Sequence, residues 1–232
     1  MTNYNKYAGL FSNLWHSIEA ERPSWEYMKK YLNPGCVFFD IGCRKGIYTQ
    51  AVNSYLNNEC EIHSFDALSH PEMENISNNY KNIFFNDIAL GDGKISECVI
   101  HVATNTKLKV NTITLDNYII DNEIKNIDFI KMDVDGFQNI IIDNSDYTLK
   151  TFRPCMMIEF NTNFTNSVTN PSQYLNLLYD KNSIDAFNIH ANDRKQNTDN
   201  DIKLIEKLKL YGYGLSEVRN GNNLFFEVKN NV

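Results

Sequence analysis

Between residues 36 and 160 the chain alternates short apolar runs with polar segments of helical period. The run "CVFFDIG" (36–42) is apolar and closed by turn residues, which predicts a buried strand. "IYTQAVNSYL" (47–56) reads as a helix, "EIHSFDA" (61–67) as a second strand, "HPEMENISNNY" (70–80) as a polar helix and "NIFFNDIALG" (82–91) as one third strand. The segment "GDGKISECVIHVA" (91–103) predicts a turn and an exposed strand, and "KVNTITLDNYI" (109–119) a strand entering a short helix. "IDFIKMDVDG" (127–136) reads as a central strand, "FQNIIIDNSDYTL" (137–149) as one helix, "RPCMMIEF" (153–160) as a strand and "PSQYLNLLYDKN" (171–182) as a helix. Strands and helices alternating at this pace predict βαβ units and a parallel sheet.

The flanks carry different patterns. Leu10, Leu14 and Ile18, with Phe11 and Trp15, make an apolar helical stripe that Pro23 breaks, and "SWEYMKKYL" (24–32) follows as a second helix. Residues 1–35 therefore read as a helical cap and residues 36–232 as one globular unit. Residues 182–200 are polar and poorly periodic, which predicts an inserted loop. "DIKLIEKLKLYGYG" (201–214) reads as an amphipathic helix with a glycine stop, and "LSEVRNGNNLFFEVKN" (215–230) as a hairpin around "NGNN".

Composition narrows the function. A chain of 232 residues with 42% hydrophobic and 22% charged residues fits one soluble domain with a sizeable core. A net charge of −7 and a pI near 5.2 speak against a binder of nucleic-acid backbone. No apolar stretch approaches the roughly 18 residues of a membrane span, and the first residues lack a leader pattern, so a cytoplasmic location is expected. The five cysteines form no CxxC pair. Cys36, Cys60, Cys98 and Cys155 lie in or beside apolar runs, as buried reduced thiols do. His63, His101 and His190 show no paired spacing and read as surface or structural residues.

The chemistry centres on "DIGCRKG" (40–46). Glycines after a strand let the backbone approach a ligand, but the spacing is GxxxG, not GxGxxG. A carboxylate at Asp40 would repel a pyrophosphate, so the loop predicts a ligand whose nearby group is cationic, or at least free of phosphate. S-adenosylmethionine, with its ammonium and sulfonium, fits. Asp66 ends the second strand about 20 residues on, where an acid accepts ribose hydroxyls in nucleoside sites. Asp87 and Ile88 are candidate contacts for an adenine.

Four segments in this order, "VFFDIGCRKGIYT", "VNTITLDNYI", "IDFIKMDVDGFQ" and "MMIEF", resemble the FkbM family of S-adenosylmethionine-dependent methyltransferases over roughly residues 36–160. The resemblance implies an α/β, Rossmann-like class I methyltransferase fold: a mostly parallel seven-stranded sheet finishing in an antiparallel hairpin. It also implies O-methylation, often of sugar or natural-product hydroxyls. The chain departs from the family pattern at Cys43-Arg44, at Asp66-Ala67, and at Gln138, where the family usually carries an acid. The candidate cofactor-binding residues are Asp40, Gly42, Cys43, Gly46, Tyr48, Asp66, Ala67, Asp87, Ile88 and Asp133.

A hydroxyl acceptor needs positioning and a general base. Asp133, at the end of the central strand, is the first candidate for a base or a cofactor ligand. Asp135 lies just beyond it, Glu159 ends the next strand, and Lys131 lies two residues before Asp133 on the same face, where it can neutralise the acids. Three such carboxylates could alternatively hold Mg²⁺, but the preferred reading has no metal. Asp116 reads as a helix N-cap. The expected partner is a small-molecule or glycan acceptor, with no nucleic acid; oligomeric state is not readable. The rival functions are a nicotinamide-dependent oxidoreductase and a catalytically degenerate binding module.

Overall fold

The structure, a computed structural model, describes residues 21–101, 106–160, 170–180, 194–219 and 222–229. The predicted helix around Leu10–Ile18 and the 182–193 part of the predicted insertion lie outside them. Helix α1 (Arg22–Met28) has Pro23 in its first turn and runs into a 3₁₀ turn, Lys29–Tyr31. Then come β1 (Cys36–Ile41), α2 (Ile47–Tyr55), β2 (Cys60–Phe65), α3 (Pro71–Asn79), β3 (Ile83–Asn86), β4 (Ala89–Leu90), β5 (Ile95–His101) and β6 (Thr106–Ile113). The chain continues through α4 (Leu115–Asp121), β7 (Phe129–Met132), α5 (Gln138–Asp143), α6 (Asp146–Thr151), β8 (Cys155–Glu159), α7 (Pro171–Tyr179), α8 (Arg194–Leu210), β9 (Tyr213–Arg219) and β10 (Asn223–Val228).

Seven strands form the main sheet in the order β3-β2-β1-β7-β8-β10-β9. The first five are mutually parallel, and β10 runs antiparallel to both β8 and β9. Strand period sorts the side chains into two layers. Cys36, Phe38, Ile62, Phe129, Met157 and Phe225 pack with α1, α2 and α3 on one face. Phe39, Ile41, Ile130, Met132, Met156, Ile158 and Leu224 face α4 to α8 on the other. Strand order reverses between β1 and β7, so the crevice of this doubly wound sheet opens beyond their carboxyl ends.

Three predicted elements need correction. Residues 82–91 are not one strand. The Asn86 amide donates to Ser64 O and Phe84 O, which ends β3 beside β2, and after Asp87–Ile88 the chain joins a separate three-stranded sheet, β4-β6-β5, that the sequence did not reveal. Residues 137–149 are two helices. Asp116 accepts the backbone N–H groups of Tyr147 (2.8 Å) and Thr148 (2.9 Å), so a new helix starts at α6. Asp116 is thus a cap for a helix 31 residues on, whereas α4 is capped by Thr114, whose Oγ1 accepts from Asn117 N. Finally, residues 194–200 belong to helix α8. Thr198, Asp201, Ile205 and Leu208 are all buried at helical spacing, and the polar character of the first two hid the period.

Candidate functional site

The registers place five residues in one rank along the carboxyl rim of the sheet. Ile41 is level with Phe65 and with Met132, and Met132 with Ile158. One step further, Asp66, Gly42, Asp133 and Glu159 therefore stand side by side, all on the α1–α3 face, and Asn223 lies opposite Glu159. Below them the rank Ser64–Asp40–Lys131–Met157 lies within the sheet.

In that lower rank, Asp40 is fully buried. Its Oδ2 accepts from Thr49 N (3.1 Å) and Thr49 Oγ1 (2.8 Å), and the same hydroxyl contacts Ser64 Oγ at 2.7 Å. Its Oδ1 lies 3.5 Å from Lys131 Nζ. Asp40, expected to meet a cationic ligand directly, is instead engaged with α2 and β7. Lys131, also buried, donates to Gly42 O (3.1 Å), lies 3.6 Å from Asp133 Oδ2 and sits over the Tyr48 ring at 5.3 Å. Burial alone would push its ammonium pKa down, but Asp133 and Asp40 outweigh that and raise it. Lys131 thereby ties the glycine loop to the central strand.

The loop itself is closely fitted. Gly42 has φ +79°, and a β-carbon there would stand 1.7 Å from Asp133 O. Gly46, φ +76°, opens α2, and its missing β-carbon leaves room for Met73 Sδ, 2.1 Å from where it would lie. The loop N–H groups are already directed inward. Gly42 N and Cys43 N each donate to Phe65 O (2.9 Å), Gly46 N donates to Cys43 O, and Arg44 N, at φ +47°, donates to Asp66 Oδ2 (2.9 Å). A pyrophosphate cradle needs such groups pointing at the ligand. Cys43 is buried, and burial raises its thiol pKa. The Arg44 side chain is exposed, and its charge acts on Asp133 and Asp135.

Asp66 Oδ1 accepts from Leu68 N (3.0 Å) and lies 3.3 Å from His70 Nε2. Ala67 and Ile88 are half-buried, and Asp87 is exposed in the connection between β3 and β4. Tyr48, at the start of α2, donates to Glu21 Oε2 (3.1 Å), and Asn223 Nδ2 donates to the same oxygen (2.9 Å).

Asp133 and Glu159 are neighbours, each one residue beyond the paired ends of β7 and β8, and the Asp133 charge acts on Glu159. Lys131 holds Asp133 below the usual carboxylate range against its burial. Burial, reinforced by Asp133, pushes Glu159 up to about 8. Asn222 Nδ2 donates to Glu159 Oε1 (2.9 Å). Gln138 is buried behind the pair: its Oε1 accepts from Gly136 N (2.8 Å) and its Nε2 donates to Glu159 O (2.9 Å). Asp135 is exposed at φ +48°, and its pKa is raised by desolvation and by Asp133. His63 is structural, between Tyr118 Oη (2.7 Å) and Glu61 Oε1 (2.8 Å).

Among the described residues no group of three His, Cys, Asp or Glu side chains could hold a metal ion, so the Mg²⁺ alternative finds no support. Cys36, Cys43, Cys60 and Cys155 are free thiols. Among the described residues no helix is long and apolar enough to cross a membrane. Sequence reasoning missed Glu21 and Thr49, which carry no motif, and read Asn222 and Asn223 only as part of a turn.

The strand order, the glycine loop at the switch point and the antiparallel closing hairpin define a class I methyltransferase-like fold. The profile of the Methyltransferase FkbM domain matches residues 40–185, and the chain belongs to that family. Among solved structures it is similar to the methyltransferase FkbM of Methylobacillus flagellatus KT, with TM-score 0.51 and 11% identity over 83% of this chain and 43% of that one. The chain thus spans less than half of that protein. It is also similar to a proposed S-adenosyl-L-methionine-dependent methyltransferase of Methanococcus maripaludis (TM-score 0.51, 14% identity, 98% of this chain and 93% of that one). A proposed rRNA methylase of Clostridium thermocellum has TM-score 0.50 and 7% identity over 89% and 93% of the two chains. No curated protein matches the chain.

Proposed function

We propose that the protein transfers a methyl group from S-adenosylmethionine to a hydroxyl group of a sugar or glycan. The observation that carries this reading is the inward direction of the loop N–H groups beside the Asp66 carboxylate. A loop so arranged offers little to a dinucleotide pyrophosphate, and this, with the family assignment, speaks against the nicotinamide reading. It leaves a nucleoside end, marked by Asp66, and a rim whose acids at Asp133, Asp135 and Glu159 suit a cationic ligand.

The residues present fit this cofactor. Each Asp66 oxygen accepts one backbone N–H and retains capacity for a ribose hydroxyl. Asp133, at the next rim position beyond Gly42, would hold the methionine end. When bound, the cofactor supplies an electrophilic methyl group on a sulfonium. The chain's residues do the rest: the loop fixes the nucleoside, Lys131 keeps Asp133 ionised, and the Asp133–Glu159 pair takes up the proton of the acceptor.

Titration calorimetry with S-adenosylmethionine, S-adenosylhomocysteine and NADH tests the reading, followed by turnover against a panel of glycosides read by mass spectrometry. Binding of the first two in the micromolar range, with methylated product, is expected. NADH binding without S-adenosylmethionine binding would overturn it. Cofactor binding without turnover of any hydroxyl acceptor would instead identify a binding module.

A further inference from the structure

Two carboxyl groups side by side at the ends of paired strands do not ionise independently, because the first charge to form holds the proton on the other. The groups around the Asp133–Glu159 pair are unequal. Asp133 faces Lys131 Nζ at 3.6 Å, and the Arg44 charge acts on it from the glycine loop. Asp135, beyond it, adds only negative charge. Glu159 faces the neutral amide of Asn222 at 2.9 Å, from the turn before β10, with Lys131 further off and Gln138 bound to its backbone carbonyl. The cations hold Asp133 ionised and leave the proton on Glu159. An ionised Asp133 next to a cation is a weak base, whereas Glu159 regains a proton readily once it has lost one.

We propose that Glu159, not Asp133, takes the proton of the acceptor hydroxyl, and that Asn222 is the positioning residue that presents it; this rests on the methyltransferase reading above. With Glu159 ionised, the acceptor O–H bond breaks toward its carboxylate as the new O–CH₃ bond forms. The methyl–sulfur bond breaks with its electron pair retained on sulfur, leaving a neutral thioether, and Glu159 ends protonated.

Asn222 sits in the "NGNN" segment, a turn signal by sequence alone. Because β10 is antiparallel to β8, its start lies at the carboxyl rim, where the amide reaches Glu159. The backbone of Asn222 also accepts from Phe160 N (2.8 Å), which fixes the approach of that amide.

The test is a carboxyl titration by NMR on the full chain labelled at glutamate side-chain carbons, with Glu159→Gln to assign the signal. One glutamate titrating well above the ordinary range and absent in Glu159→Gln is expected. Asn222→Asp, which keeps the turn chemistry but removes the donor, should move that titration up by about one pH unit, the equivalent of about 1.4 kcal/mol. Asn222→Ala should move it in the same direction. Saturating S-adenosylmethionine should move it down by about one unit through the sulfonium charge, and neutral-sulfur S-adenosylhomocysteine by less. An ordinary Glu159 titration, or one unmoved by the Asn222 substitutions, would overturn the proposal. So would equal shifts with the two ligands. Absence of S-adenosylmethionine binding by calorimetry would instead strike at the methyltransferase reading itself.

Discussion

A β-carbon on Gly42 would lie 1.7 Å from the carbonyl oxygen of Asp133. The glycine loop and the end of the central strand are therefore in backbone contact, and Lys131 bonds them again through Gly42 O. Gly42→Ala must displace one of them, with positive φ adding strain. The expected cost is about 2–4 kcal/mol, read by chemical denaturation, with at least a tenfold loss of S-adenosylmethionine affinity. Gly35, also at positive φ (+84°) but with no atom within 4 Å of an added β-carbon, is the control. Gly35→Ala should leave cofactor affinity unchanged.

Asp66 ties the glycine loop to the segment after β2, accepting from Arg44 N and Leu68 N. Asp66→Ala should weaken S-adenosylmethionine binding by about 1–3 kcal/mol, the value of a lost buried hydrogen-bond partner. Asp66→Asn keeps one acceptor oxygen and should lose less. Calorimetry reads both, and an alanine variant that binds as tightly as the parent would remove Asp66 from the site.

Gln138 uses both halves of its amide, accepting from Gly136 N and donating to Glu159 O. A glutamate can accept from the first but, when ionised, cannot donate to the second. Gln138→Glu should destabilise the protein by about 1–3 kcal/mol in denaturant titration. The acid that the family resemblance implies at this position is expected to harm this chain when introduced without other changes, because the partner is a carbonyl.

Glu159 and Asp133 make opposite contributions to stability against pH. The folded pKa of Glu159, about 8, lies above its unfolded value of about 4.3, so the folded state binds the proton more tightly. Stability from this group is present at low pH and lost as pH rises toward 8. Asp133 is lowered, so its contribution is present above the ordinary aspartate pKa and lost on acidification. Glu159→Gln keeps an oxygen for Asn222 without the charge. It should match the parent near about pH 5 and exceed it in stability near about pH 9. Denaturation at the two pH values reads the difference. A variant weaker at both would refute the raised titration of Glu159.

Much of the site was legible because apolar strand runs end in acids: Asp40, Asp66, Asp133 and Glu159 each close one. Spacing along a strand does not say which strand lies beside it. Asp40 therefore read as a ligand for the cofactor, when Lys131, its register partner on β7, and Thr49 engage it. Glu21 and Asn223 meet across 202 positions of sequence, and no local pattern marks such a contact. Asp116 was legible as a cap but not as the cap of α6, because its helix partner is set by packing. The second sheet escaped notice because β4 is two residues long and continues an apolar run that already read as a strand.

Strand β10 lies between β8 and β9 in the sheet although it follows both in the chain. During synthesis the exposed edge of β8 must wait for residues 222–228, which bring both its partner strand and the two asparagines of the rim. Pairing over such a separation is slow, and an unpaired edge invites association with other chains. The hydrogen bonds that hold Glu159 and Glu21 come with this last strand, so closure of the sheet and completion of its carboxyl rim end in one step.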